Sequence, residues 1–233
     1  MKIVLCILVV FAITFASSAV SFANAKITTL TQKQQAIVPI ASYTSTGDMD
    51  NLKKAINDGL DAGLTINETK EIMVHLYAYC GFPRALNGIG AVTEVLNDRQ
   101  AKGIHDVEGR ESTPIAEDTN ILEVGTKVQT KLAGAPVNYA VSPGLDQFLK
   151  THLFGDLFAR DVLSFEDREL ITISALASMR GTQPQLMAHL RLGSNAGLSD
   201  KALQDIVNVL DAKVNSKIGT DAQKALDTFL NNK

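Results

Sequence analysis

The chain has 233 residues, 45% of them hydrophobic and 20% charged, a globular composition that excludes a disordered chain. Lys and Arg number 22 against 25 Asp and Glu, so the net charge is −3 and no basic surplus exists to serve a nucleic-acid partner. Two cysteines exclude a disulfide framework and a Cys-rich zinc site, and the 16 glycines form neither of the common nucleotide loops.

Residues 1–25 hold one charge, Lys2, then an apolar run from Ile3 to Ala16, and end on Ala23-Asn24-Ala25. A basic start, a short apolar middle and a small-x-small end read as a signal peptide cleaved after about Ala25. The expected product is periplasmic or secreted and has no stable membrane insertion, because the run is shorter than the ~20 residues of a comfortable span. Cleavage removes Cys6 and leaves Cys80 as the single thiol.

Beyond the leader, helical signals recur and no segment alternates as a strand would. Asp48 precedes Leu52, Ala55, Ile56 and Leu60, a 3–4 spacing closed by Gly63. Thr65 and Glu68 form a capping box for a helix with Ile72, Leu76 and Tyr79 on one face. That helix is expected to stop near Gly81, and Pro83 to open the next, through Leu86, Ile89 and Val92 to Leu96. Residues 97–119 are polar. The connecting loop is set at 101–119, between a first unit, 26–100, and a second, 120–233. Helices are then expected at about 120–132 and 143–159, after Ser164, from Pro184, after Ser199, and at about 221–231.

An internal repeat relates the two units. Ala62-Gly63-Leu64-Thr65 returns as Ala196-Gly197-Leu198-Ser199, 134 residues on, with Leu52 matching Leu186, Glu71 Asp205, Ile72 Ile206 and Leu76 Leu210. Each copy is a helix, a glycine turn and a capped helix, an arrangement that by itself says nothing of function.

The polar residues on these helices are more specific. Glu71, His75 and Tyr79 fall at i, i+4, i+8 and stack on one helix face. Arg84 enters the first turn of the following helix, where the dipole does not favour a cation and an anion held beside it would. In the second unit a helical hairpin can set Glu169 against His189, and a carboxylate beside an imidazole is a general acid–base pair. Arg180, near a helix end, can bind a carboxylate. The four histidines show no metal-ligating pair, so neither a metal nor a cofactor is expected.

Arg168-Glu169-Leu170, Gly181, Gln185-Leu186, His189 and Gly197-Leu198-Ser199 together resemble the carboxymuconolactone decarboxylase family, within the alkylhydroperoxidase D-like superfamily. So does Glu71-Ile72 with His75-Leu76-Tyr77-Ala78-Tyr79-Cys80-Gly81-Phe82-Pro83-Arg84-Ala85-Leu86-Asn87, and the stretch from Phe148 to Asp161 is similar to exported tandem members. The resemblance covers about 50–96 and 120–212. It implies an all-α fold of tandem helical-hairpin units and a homo-oligomer. Peroxidase members use C-x-x-C before the histidine; here Thr182 and Gln185 stand at those positions, so no dithiol forms. The lyase chemistry of the decarboxylases fits better. It implies proton transfer by His189 with Glu169, supported by His75 and Tyr79, and binding of a small carboxylate or lactone by Arg84, Arg180 and Glu71. The alternatives are a single-thiol peroxidase using Cys80 and a non-catalytic oligomeric binding protein. Neither copy holds the whole motif set, since Ala55 stands at the position of His189 in the first, so the site is expected to be composite.

Overall fold

The computed structural model describes residues 28–233, and every regular element among them is a helix. The leader lies outside the described residues. Helix α1 (Gln32–Thr46) opens on a capping box between Thr31 and Gln34 and closes on Gly47 in the left-handed region. Its periodicity gives no warning, because Ala36 to Ser42 are all buried and no polar stripe exists. Helix α2 (Met49–Asp61) is capped by Asp48, and α3 (Ile66–Ala101) by the box of Thr65 and Glu68. The helix breaks at Gly81 as expected: Gly81 adopts φ 82°, ψ 158°, and helical backbone restarts with Pro83, the two parts being counted together as α3.

Helix α4 (Ile121–Ala133) follows a loop, and α5 (Pro143–Phe148) runs into a π-helix, Leu149–Leu157. These pack tightly because Gly125 and Gly155 lack side chains. A Cβ on Gly125 would lie 1.6 Å from the Lys150 carbonyl oxygen. The remaining helices are α6 (Phe165–Ser178), α7 (Gln183–Ala196), α8 (Asp200–Lys213) and α9 (Ser216–Asn231).

The duplication extends further than the hairpins. Helices α1–α3 are answered by α6–α9, with the Gly81 kink matching Asn215, the cap of α9. Beyond it Ala85, Gly88, Ala91, Val92 and Val95 match Gly219, Ala222, Ala225, Leu226 and Phe229, and all ten are buried. One core takes residues from both units. α1 lies on α6, where the Ser42 and Ser178 hydroxyls meet at 2.6 Å. The matched acids each hold the other unit's entry segment. Asp205 accepts from the backbone N–H and hydroxyl of Thr29, and Glu71 accepts from Arg160 and Arg168.

Candidate active site between the two units

Glu169 sits on α6 and His189 on α7, and the hairpin brings His189 Nδ1 to 2.8 Å from Glu169 Oε2. A carboxylate accepts, so Nδ1 carries the proton, and Nε2 is left without a partner among the described residues. Glu169 is fully buried and His189 is 8% exposed. Glu169 Oε1 is also buried and makes no hydrogen bond. A Cβ added to Gly193 would crowd Ile173 Cδ1 at 3.0 Å, so the glycine favours the close packing of α7 on α6.

Tyr79 reaches the same place from α3. Its ring meets the His189 ring edge-on, with centroids 5.5 Å apart. The hydroxyl is buried and unpaired. Burial first, and the Glu169 charge second, hold the phenol protonated far above its ordinary range; the Thr172 hydroxyl opposes this without reaching hydrogen-bond geometry. Buried polar atoms are almost always paired in folded proteins. Two orphans, Tyr79 Oη and Glu169 Oε1, thus stand beside a histidine whose Nε2 has no partner among the described residues.

Glu71 and His75 do a different job. Arg168, 0% exposed, donates from Nη2 to Glu71 Oε1 at 2.8 Å and to the Arg160 carbonyl at 2.8 Å. Arg160 adds a fork, Nε at 2.9 Å and Nη2 at 2.9 Å, on the two Glu71 oxygens. Arg168 Nη1 stands 3.2 Å from His75 Nδ1, which must accept, so His75 Nε2 donates to Thr172 Oγ1 at 2.9 Å. Thr172 in turn donates to the Arg168 carbonyl. Both His75 nitrogens and both Glu71 oxygens are thus engaged. The sequence reading placed His75 in proton transfer and Glu71 in substrate binding; the contacts these side chains make are with a buried guanidinium, which Glu71 neutralises and His75 helps orient.

His75 has a measurable consequence. Burial first, then the Arg168 and His189 charges, depress its pKa well below the ordinary 6.5. The unfolded chain takes up this proton near pH 6.5 and the folded chain does not, so stability falls as pH drops below that value. The slope is about 1.4 kcal/mol per pH unit from this group. His75→Gln offers an acceptor to Arg168 and a donor to Thr172 without titrating. Urea midpoints between pH 7 and 5 should lose this part of the slope in that variant; an unchanged slope would assign the effect elsewhere.

The two expected anion-binding arginines stand apart from this network. Arg84 and Arg180 are exposed, and neither hydrogen-bonds to a described residue. Arg84 lies by Gly47, in the turn between α1 and α2. Cys80 is half-buried, and its thiol donates to the Leu76 carbonyl at 3.2 Å. Arg160, Arg168 and Thr172 are the residues that motif reading gave no role. The signal for Arg168 is its place before Leu170, Ile171 and Ile173, on a helix buried on most faces, where a cation requires a counter-charge. Among the described residues no three His, Cys, Asp or Glu side chains cluster as a metal centre would need.

No family model matches the chain. It is 30% identical over 70 residues to an uncharacterized protein of Methanocaldococcus jannaschii. That match takes in 30% of this chain and spans 65% of the relative's length.

Proposed function

We propose that the chain is an exported, homo-oligomeric enzyme of the carboxymuconolactone decarboxylase type, acting by acid–base chemistry on a small carboxylate or lactone. The observation that carries this reading is the Glu169–His189 pair facing the buried Tyr79 hydroxyl, with His189 Nε2 free. Tyr79 can donate to the substrate carbonyl, which gains negative charge as the carboxylate leaves. The C–C bond to the carboxylate breaks, CO2 departs, and its electron pair moves into the ring double bond and carbonyl. His189 Nε2, protonated, returns a proton to carbon, with Glu169 stabilising the imidazolium. Arg84 and Arg180, both uncommitted, are the candidates to hold the carboxylate. The oligomer reading is supported by Phe82, Leu86 and Phe148, each more than 60% exposed. Among the described residues no helix is long and apolar enough to cross a membrane.

The test is CO2 release from carboxymuconolactone and related small carboxylated lactones, followed by isotope-labelled carboxyl. Turnover that rises with enzyme concentration is expected, and no release from any of them would end the proposal. The thiol reading fares worse, since burial raises the Cys80 pKa above its ordinary 9.0, with Arg84 opposing only in part. Cys80→Ser should therefore leave CO2 release unchanged, and native Cys80 should alkylate slowly at pH 7. Rapid alkylation, with peroxide turnover lost in Cys80→Ser, would favour the peroxidase instead.

A further inference from the structure

The duplication places a counterpart of the candidate site at the opposite end of the pseudo-symmetry. Counted from the matched caps Thr31 and Ser164, Ala36 answers Glu169; at the repeat spacing Ala55 answers His189 and Lys213 answers Tyr79. Two alanines thus stand where the second unit carries a carboxylate and an imidazole. Both alanines and Lys213 border an open cavity of about 660 Å³.

Its wall is chemically specific. Pro39, inside α1, also borders the cavity and has no N–H. Gln35, one turn earlier, also borders the cavity, and its carbonyl lacks the N–H that position 39 would otherwise donate. The Gln35 side chain is already committed to the Leu30 carbonyl at 3.0 Å. Lys54 and Lys213 line the rest, and neither forms an ion pair with a described residue; Lys54 Nζ has only Asn51 Oδ1 at 3.5 Å. Asp58 supplies the one carboxylate on the wall.

We infer that this cavity is a second, non-catalytic binding site for a small carboxylate that also carries a hydroxyl or amine donor. The carboxylate pairs with Lys54 and Lys213, the donor meets the Gln35 carbonyl and Asp58, and the apolar body packs on Ala36, Pro39 and Ala55. No proton-transferring pair faces the occupant, so it leaves unchanged. The inference stands independently of decarboxylation at His189.

Calorimetric titration of the full chain with 4-hydroxybenzoate tests it. Saturable binding is expected, at least tenfold weaker for phenol or benzoate, each of which lacks one recognition group. Lys54→Ala combined with Lys213→Ala should weaken binding at least tenfold. Both side chains are exposed, and Tyr43 bonds only the Lys213 carbonyl, so the fold survives the change. Ala55→Met, which pushes a longer side chain into the apolar wall where the occupant packs, should weaken it similarly and leave CO2 release intact, while His189→Ala should leave 4-hydroxybenzoate binding unchanged. Absence of saturable binding in the folded chain, or binding lost in His189→Ala and kept in Ala55→Met, overturns the inference. Binding without any CO2 release overturns only the decarboxylase reading.

Discussion

Glu71→Leu should destabilise the chain by about 3–5 kcal/mol, read from urea unfolding midpoints. Glu71 is the one carboxylate bonded to both Arg160 and Arg168. Arg160 is a third exposed and can turn to water when the carboxylate goes, but Arg168 is fully enclosed and cannot. A buried guanidinium without its counter-ion carries most of the loss. Replacing both members, Glu71→Leu with Arg168→Met, should recover much of it, because neutral side chains of similar volume remove the charge that has to be buried. The double variant still leaves His75 Nδ1 without its donor, so recovery should be incomplete by about 1–3 kcal/mol. If Glu71→Leu unfolds at the native midpoint, the network is not what couples the two units.

That network shows where sequence reasoning stops. Helices α2, α3 and α8 were legible because their apolar positions recur on one face and they open on the Asp48, Thr65 and Ser199 caps. Helix α1 was not, since burial on nearly every face erases the period, and Pro39 in its middle reads as a breaker. Thr31 with Gln34 was the available signal, and it is local. Spacing alone also found the Glu169–His189 pair, because a hairpin fixes which residues of adjacent helices meet. The same logic does not give the partner of Glu71 and His75. Their i, i+4 stacking with Tyr79 places all three on one face of α3, but not what that face meets. Tyr79 meets the His189 ring, whereas Glu71 and His75 meet Arg168, whose approach depends on the packing of α6 across α3. Which polar residues serve a site and which serve a buried charge is therefore decided by tertiary contacts that span the two units.

His189→Ala should lower CO2 release by 10²–10⁴-fold, about 3–5 kcal/mol of barrier, since it removes the atom proposed to protonate carbon. Glu169→Gln should lose less. The amide oxygen can still accept from Nδ1 and hold the ring, but it cannot balance an imidazolium. Tyr79→Phe separates a working site from a packing one. An unpaired buried hydroxyl costs stability of about 1–3 kcal/mol, so its removal should leave the chain as stable or more so. If that hydroxyl donates to the substrate carbonyl as charge develops there, the same change should slow turnover about 10²-fold or more. Lower activity with undiminished stability is the mark of a group retained for chemistry. A Tyr79→Phe variant that loses stability and keeps its turnover would show that the hydroxyl serves packing alone. His189 would then work without help from the first unit, and the composite site would be wrong.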